Sequence, residues 1–184
     1  LQEPIRTIGI YTDKLIRKYA SPLGDEGTLF VKYVVDGAHR LENLVTGLRD
    51  FWQLSENVEE QRAFVDCNQI LKTVLRDLEN LIAESGATVT SDPLPSVMAS
   101  EAPLIQLFQN LIGYAIKYRS PDAPRVHISA VKGPSEWTFS IEDNGIGIDP
   151  KYFNEVFGVF KRLHTHSKYP GTWIGLAICQ KIVE

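Results

Sequence analysis

Two runs of apolar residues, spaced alternately by four and three positions, constrain the first 55 residues more strongly than any other feature of the chain. The first run is Leu1, Ile5, Ile8, Thr12, Leu15 and Tyr19, and the second is Phe30, Val34, Gly37, Leu41, Leu44, Leu48 and Phe51. This spacing is typical of the apolar seam of a coiled coil or a four-helix bundle. The turn segment "SPLGDEG" separates the two runs, so the pattern predicts a helical hairpin over residues 1–55.

A hairpin of this kind has two apolar seams, and two helices alone cannot bury both of them well. Two copies of the hairpin would form a four-helix bundle, so the sequence predicts a homodimer through residues 1–55. The alternative is a hairpin that packs against the second domain of its own chain. The regularity of the spacing favours the homodimer.

The rest of the chain alternates between helical and strand patterns. Residues 56–63 are polar and are interpreted as a linker to a second domain over residues 64–184. A short strand precedes a helix that begins after Asp66, a plausible N-cap, and ends at Gly86. Later patterns predict a strand at "ATVTS", a helix over residues 101–119, strands at "RVHISAV" and "EWTFSIED", a short helix around "KYFNEVF" and a last helix from about Ile174. This order predicts an α+β chain, in which an α/β sandwich with a mixed, mainly antiparallel sheet follows the hairpin.

Charge, cysteine content and hydropathy narrow the class of protein. A net charge of -4 argues against general nucleic-acid binding, for which a basic surface is typical. Cys67 and Cys179 lie far apart and neither has a CxxC partner, so we expect reduced thiols rather than a disulfide or a zinc site. No apolar run approaches the ~20 residues of a membrane-spanning helix. No signal peptide is visible, and we expect a cytoplasmic location.

Residues with chemical potential concentrate at three places in the second domain. Asp143 ends a strand just before Gly145 and Gly147, where a carboxylate can accept a hydrogen bond from an exocyclic amine such as that of adenine. The glycine-framed loop "YPGTWIGLAI" leads into a helix whose N-terminus favours an anion. Asn110 and Lys117 share one face of an earlier helix. Each pattern taken alone is better explained by a structural turn or a solvated side chain.

Taken together and in this order, these segments resemble the motifs of sensor histidine kinases. "FQNLIGYAIKYR" is similar to the N box, "EDNGIGI" to the G1 box, "VFGVFKRLH" to the F box and "YPGTWIGLAI" to the G2 box of their ATP-binding domain. "LQEPIRTI" and "DGAHRLENLVTGLRDF" resemble the two helices of their dimerisation and phosphotransfer hairpin. The resemblance covers nearly the whole chain and looks closest to phytochrome-like and PAS-linked kinases.

The resemblance implies a fold, an activity and partners. The fold is the GHKL type, which these kinases share with gyrase, Hsp90-type and mismatch-repair ATPases. The activity is ATP-dependent autophosphorylation on histidine, followed by phosphotransfer to the receiver domain of a response regulator. Because phosphoryl transfer depends mainly on positioning and charge stabilisation, ATP is expected together with Mg²⁺.

The resemblance also assigns roles on the adenine side of the nucleotide site. Asp143 would hold the adenine amino group, while Gly145 and Gly147 would shape the pocket around it. Lys117 and Tyr118 would face the nucleotide from the N-box helix.

On the phosphate side, Asn110 of the N box is the expected metal ligand that remains. Lys161 and Arg162 would reach toward the phosphates from the lid. The phosphate-binding turn and the start of the last helix would comprise Gly171, Thr172, Trp173, Gly175 and Leu176.

Two aromatic residues depart from the family motifs at positions that converge on this site. Tyr114 stands where the family has the asparagine expected to ligate Mg²⁺, and a phenol is a poor neutral ligand for that hard cation. Trp173 stands where the family has glycine, and its indole occupies the position where the backbone and a phosphate should meet. We therefore expect Mg-ATP binding that is weakened or lost.

The phosphoacceptor histidine of the family would lie two positions before Leu1, outside this chain. None of the histidines present matches its position, and all are interpreted as surface or structural: His39, His127, His164 and His166. The family usually continues with two strands after the last helix, so the ATP-binding domain is expected to be truncated at Glu184.

Three function classes stay open. The first is the cytoplasmic core of a histidine kinase, impaired by Tyr114 and Trp173. The second is a nucleotide-free pseudokinase or an engineered dimeric scaffold, which docks a response regulator without catalysis. The third is another ATPase of the same fold, and the helical hairpin argues against it.

Overall fold

The computed structural model describes residues 2–57, 62–158 and 174–184, which belong to two compact units, Leu1–Trp52 and Gln53–Glu184. The first unit is helical throughout its described part. Helix α1 runs over Gln2–Asn57 and is interrupted at Tyr19 (φ -128°, ψ 16°) and Gly24 (φ 64°, ψ -177°). Gly24 lies in the predicted turn segment, and its positive φ is a conformation that glycine adopts without steric cost. The break divides α1 into two helical arms, and the hairpin over residues 1–55 stays a prediction.

Most of the described seam side chains on α1 remain exposed in the single chain. Ile5 and Thr12 are buried, but Phe30, Val34 and Leu41 are 57%, 50% and 51% exposed. A long exposed apolar stripe is uncommon on a monomeric soluble protein. The two seams therefore lack cover within the described residues of this unit.

The second unit combines five strands with four helices and a short 3₁₀ turn among its described residues. In chain order these are β1 (Ala63–Asp66), α2 (Cys67–Asp77), α3 (Glu79–Ser85), β2 (Thr88–Ser91), β3 (Ser96–Ala99), α4 (Glu101–Lys117), β4 (Arg125–Lys132), β5 (Trp137–Asp143), the 3₁₀ turn (Pro150–Tyr152) and α5 (Gly175–Val183). None of the described helices is both long and apolar enough to cross a membrane.

The strands form two small sheets. β1 and β3 pair antiparallel, with Val65 opposite Val97. In the larger sheet, β4 is central, pairing parallel with β2 and antiparallel with β5. The sheet is therefore mixed, as predicted, and its register places Asp143, the last residue of β5, opposite Val126 near the start of β4.

The core lies between the larger sheet and the helices α2 and α4. Buried members come from all three sources: Ile70, Leu71 and Val74 of α2, Phe108, Ile112 and Ile116 of α4, and Val126 and Ile128 of β4. Burying one such side chain contributes ~1.5–3 kcal/mol. The packing fixes α4 against the sheet, so the C-terminal end of α4 has a defined position near the end of β5.

Both ends of the predicted helix after β1 are confirmed, but the helix between them is broken. The Asp66 side chain caps α2 by accepting a hydrogen bond from the backbone N–H of Asn68 (2.9 Å), and Gly86 ends α3 in the left-handed conformation. Leu78, with a ψ of 6°, separates α2 from α3. This turn keeps Leu78 and Ile82 packed against the core.

Three other local predictions differ from the structure. Of the predicted linker, residues 56 and 57 belong to α1 and Ala63 belongs to β1, while residues 58–61 lie outside the described residues. The segment "KYFNEVF" forms the end of a 3₁₀ turn and further turns rather than an α-helix. β3 was not predicted: Asn68 donates to the carbonyl of Leu94 (2.7 Å) and accepts from its N–H (2.9 Å), which places the segment before β3.

Candidate functional site

The end of β5 and the end of α4 are joined by a tight backbone turn. The Asp143 Oδ1 atom accepts a hydrogen bond from the N–H of Gly145 (2.7 Å), and the N–H of Ile146 donates to the carbonyl of Tyr118 (2.9 Å). A Cβ on Gly145 would lie 2.5 Å from the Tyr118 carbonyl oxygen and 2.7 Å from Asp143 Oδ1. Gly147 has a φ of 67°. The turn therefore requires glycine at both positions, for steric room at the first and for backbone conformation at the second.

Asp143 has a structural role in this turn and is also accessible. One carboxylate oxygen accepts from Gly145, yet the side chain is exposed to solvent at the end of β5. A carboxylate has about four lone-pair sites, so the contact with Gly145 leaves acceptor capacity for a ligand. The structural turn and the ligand contact are compatible with each other.

Asn144 anchors the same turn to the start of β4, a role that the sequence analysis missed. Its Oδ1 accepts from the N–H of Arg125 (2.7 Å) and its Nδ2 donates to the carbonyl of Ala123 (3.1 Å). An amide directly after a strand is a frequent turn residue, and that was the available signal. These two bonds connect the Asp143 turn to the start of β4.

One face of α4 carries three polar side chains at four-residue intervals: Asn110, Tyr114 and Tyr118. The rings of Tyr114 and Tyr118 stack, with centroids 5.8 Å apart and planes inclined by 25°. The Lys117 Nζ atom lies 5.1 Å from the centroid of the Tyr118 ring, and burial lowers the pKa of this ammonium group. Asn110 and Lys117 were predicted to share a face, whereas the i, i+4 spacing identifies the face that approaches α5.

Tyr114 packs directly against the first turn of α5. A Cβ on Gly175 would lie 2.5 Å from the Tyr114 hydroxyl oxygen and 3.0 Å from its Cε2 atom. The nearby backbone of Gly175 and Leu176 works to lower the pKa of Tyr114, as expected when N–H groups lie close to the hydroxyl oxygen. Burial, with Cys179 nearby, raises the pKa of Tyr114, so the phenol is neutral at ordinary pH. A neutral oxygen thus lies beside the first turn of α5.

Asn110 lies one turn before Tyr114 and is also directed at α5. Its Nδ2 atom donates to the carbonyl oxygen of Gly175 at 3.4 Å, and its side chain works to lower the pKa of the nearby Cys179 thiol. Burial raises the pKa of Cys179 to about 12, a shift that the contact with Asn110 opposes. Cys67 and Cys179 are both buried and free, and their reduced state stays a prediction.

The described side chains around Asn110 do not fit a magnesium ion. Mg²⁺ requires near-octahedral oxygen ligation. Here the Asn110 amide is turned toward Gly175 and Cys179, and the neighbouring Tyr114 offers a phenol. Within residues 2–57, 62–158 and 174–184, no group of three or more His, Cys, Asp or Glu side chains could hold a metal ion. Metal ligation by Asn110 stays a prediction.

Several predicted site residues lie outside the described residues, and their roles stay predictions: Lys161, Arg162, Gly171, Thr172 and Trp173, together with His164 and His166. Of the described histidines, His127 has Nδ1 2.9 Å from the Thr90 hydroxyl, and His39 has Nδ1 3.8 Å from Glu42. Both contacts suit the structural or surface roles expected of them.

Comparison with known proteins connects this geometry to a family. Residues 99–184 match the family described as histidine kinase-, DNA gyrase B-, and HSP90-like ATPase. Over 187 aligned residues the chain is 42% identical to cyanobacterial phytochrome A of Nostoc sp. (strain PCC 7120), an alignment that covers 100% of this chain and 24% of that protein. The chain thus spans about a quarter of the length of this curated relative.

Solved structures show the same architecture. The chain is similar to full-length ShkA, crystallised in complex with AMPPNP, with a TM-score of 0.68 and 25% identity over 98% of this chain and 38% of that one. Histidine kinase ThkA, crystallised in complex with the response regulator protein TrrA, gives a TM-score of 0.66 and 20% identity over 99% of this chain and 52% of that one. The second likeness is one of fold alone, and together the two confirm the predicted α+β architecture.

Proposed function

Because the chain belongs by family to the protein histidine kinases, we propose that it is the cytoplasmic core of a two-component sensor histidine kinase. In such a core, ATP phosphorylates a histidine on the helical hairpin, and the phosphoryl group passes to a response regulator. The hairpin over residues 1–55 and the ATP-binding domain over residues 64–184 would supply these two parts. The phosphoacceptor histidine would lie two positions before Leu1.

The observation that carries the proposal is the turn at the end of β5. Asp143 remains exposed while one of its oxygens accepts a hydrogen bond from the N–H of Gly145. The carbonyl of Tyr118 accepts one from the N–H of Ile146. This leaves a carboxylate next to backbone that only glycine allows to approach so closely. A planar ring with an exocyclic amine, such as adenine, suits this arrangement, and the ShkA neighbour was crystallised with an adenine nucleotide analogue.

A homodimer and a response regulator are the proposed partners. The exposed seam of α1, with Phe30, Val34 and Leu41 each at least half exposed, needs a cover, and a second copy of the hairpin would provide one. The ThkA neighbour was crystallised with its response regulator, which supports the second partner by fold.

Nucleotide binding is proposed to be impaired in this chain. Tyr114 replaces the asparagine that the family uses for Mg²⁺, and the described side chains around it do not suit that ion. Trp173 replaces a glycine of the phosphate-binding turn. A nucleotide-free scaffold that docks a response regulator is the alternative, and the contact of Tyr114 with Gly175 favours it.

A calorimetric titration with Mg-ATP tests the proposal. The chain as it stands is expected to bind weakly or not at all, and the double variant Tyr114→Asn with Trp173→Gly is expected to bind at least tenfold more tightly, a difference of ~1.4 kcal/mol. Each single variant serves as a control, because two changes in one site need not add.

Two results would decide against parts of the proposal. Micromolar Mg-ATP binding by the unchanged chain would contradict both the proposed impairment of nucleotide binding and the alternative of a nucleotide-free scaffold. Absence of binding by a folded double variant would remove the nucleotide site itself. Phosphohistidine formation is then measured in a longer chain that carries the histidine before Leu1.

A further inference from the structure

The first turn of α5 presents backbone N–H groups that the helix itself cannot use. The first four N–H groups of any α-helix lack intrahelical partners. α5 begins at Gly175, so the N–H groups of Gly175 and Leu176 belong to this set. They are the described part of the segment where the proposed function places a nucleotide phosphate. Here the Tyr114 hydroxyl oxygen lies against this turn, 2.5 Å from the position of a Cβ on Gly175.

Three features hold the phenol in that position. Its ring stacks on Tyr118 one turn along α4. Gly175 has no side chain, and any Cβ there would collide with the hydroxyl. Asn110, one turn earlier on α4, faces the Gly175 carbonyl. The contact is therefore built into the packing of α4 against α5.

We propose that the Tyr114 hydroxyl is an internal ligand of the α5 N-terminus, which closes the phosphate position by an autoinhibitory contact that does not involve magnesium. The inference rests on the proposed function, because it concerns the site where a nucleotide phosphate would bind. A phosphate oxygen would have to displace the phenol from Gly175 and Leu176. The hydrogen bonds of a phosphate are charge-assisted and stronger than those of a neutral phenol, so the phenol weakens anion binding rather than abolishing it. Substitution of Tyr114 would remove this competition.

This mechanism differs from the loss of a metal ligand, although both concern Tyr114. If the missing ligand is the cause, only a residue that ligates Mg²⁺ restores binding, and only when the ion is present. If the internal ligand is the cause, any small residue at position 114 restores binding, even without a divalent cation.

The test uses ADP as the probe, in the presence of EDTA, with the chain as it exists and Trp173 retained. The variants Tyr114→Ala and Tyr114→Asn are both expected to bind ADP at least tenfold more tightly than the unchanged chain. The inference is overturned if only Tyr114→Asn gains affinity and only with Mg²⁺. It is also overturned if neither folded variant gains affinity and amide exchange at Gly175 and Leu176 is unchanged in Tyr114→Phe, because the closure would then lie elsewhere.

Amide hydrogen exchange reports on the contact without any nucleotide. In Tyr114→Phe, which keeps the ring and removes the hydroxyl, the N–H groups of Gly175 and Leu176 are expected to exchange at least tenfold faster. The matched control Tyr118→Phe removes the neighbouring hydroxyl of the stack and should leave both rates within about twofold. Unchanged rates in Tyr114→Phe overturn the inference.

The two readouts distinguish failure of the inference from failure of the proposed function. If the amides respond but Tyr114→Ala with Trp173→Gly still binds no ADP, the internal ligand stands and the nucleotide site fails. If that double variant binds ADP while the amides do not respond in Tyr114→Phe, the nucleotide site stands and the internal ligand fails.

Discussion

Gly175→Ala should destabilise the second unit through a collision with one identified side chain. The new methyl group would lie 2.5 Å from the Tyr114 hydroxyl oxygen, 3.0 Å from Cε2 and 3.1 Å from Cζ. The phenol must then move out of its stack with Tyr118 and lose its contacts with two N–H groups. Overpacking of this kind typically costs ~1–3 kcal/mol.

An opposing contribution comes from the helix itself. Replacing glycine by alanine inside a helix typically stabilises it by ~0.5–1 kcal/mol, so the expected net loss for Gly175→Ala is about 0.5–2 kcal/mol. For a chain of this size that loss lowers the Tm by roughly 2–4 °C per kcal/mol. Urea and thermal unfolding, followed by circular dichroism, measure it.

Two further variants make the interpretation specific. Gly113→Ala lies on α4, where nothing is within 4 Å of the added Cβ, and it should be neutral or stabilising. In a Tyr114→Ala background, Gly175→Ala should lose its penalty, giving a coupling free energy of ~1–2 kcal/mol in the double-mutant cycle. An unchanged penalty in that background would refute the reasoning, because the collision would then involve another group.

Three other predictions follow from the remaining features. Leu44→Glu should convert the proposed homodimer into a monomer in light scattering, and a monomeric unmutated chain at tens of micromolar, on the order of assay concentrations, would contradict the dimer. Asp143→Asn keeps the oxygen that accepts from Gly145 but loses the charge, so it should weaken any adenine-nucleotide binding by ~1.5–3 kcal/mol in a titration, and unchanged affinity would assign Asp143 to the turn alone. Burial raises the pKa of Cys179 from 9.0 to about 12; the unfolded chain therefore releases this proton first, and stability should fall as pH rises from 9 toward 12. Cys179→Ala should make the urea midpoint less sensitive to pH in that range.

The helix break in α1, two helix caps and three strands were predicted from local sequence signals. The break in α1 includes Gly24 of "SPLGDEG", two residues after Pro22. Asp66 caps α2 through its carboxylate, and Gly86 ends α3 in the left-handed conformation that glycine favours. Strands β2, β4 and β5 were likewise predicted from alternation. The break at Leu78 was not, because helix propensity favours continuation there and packing against the core overrides it.

The long-range contacts were not accessible from the sequence. Asn68 places the segment before β3 through two bonds to Leu94, and nothing in the short run "SVMA" indicates that pairing. Resemblance placed Tyr114 and Gly175 in one site and indicated which residues were unusual. It did not show that the phenol lies on the helix start, because that depends on how closely α4 and α5 approach.

The contact between Tyr114 and Gly175 connects the stability of the domain to its function. A domain with free N–H groups at the phosphate position is stabilised when it binds nucleotide, by ~2.7 kcal/mol when the ligand is at a hundred times its Kd. In the proposed closed site, the packing of Tyr114 against Gly175 and Tyr118 would stabilise the domain without nucleotide. A tyrosine at position 114 would be tolerated whether it arose by natural drift or by deliberate substitution. The phenol that excludes the nucleotide phosphate would also replace the contacts that the phosphate makes with the start of α5. A chain altered in this way can keep its fold, its seams for a partner and its docking surfaces while nucleotide binding is lost. The scaffold alternative needs this combination of properties, and replacing Tyr114 by a small residue separates it from an impaired kinase.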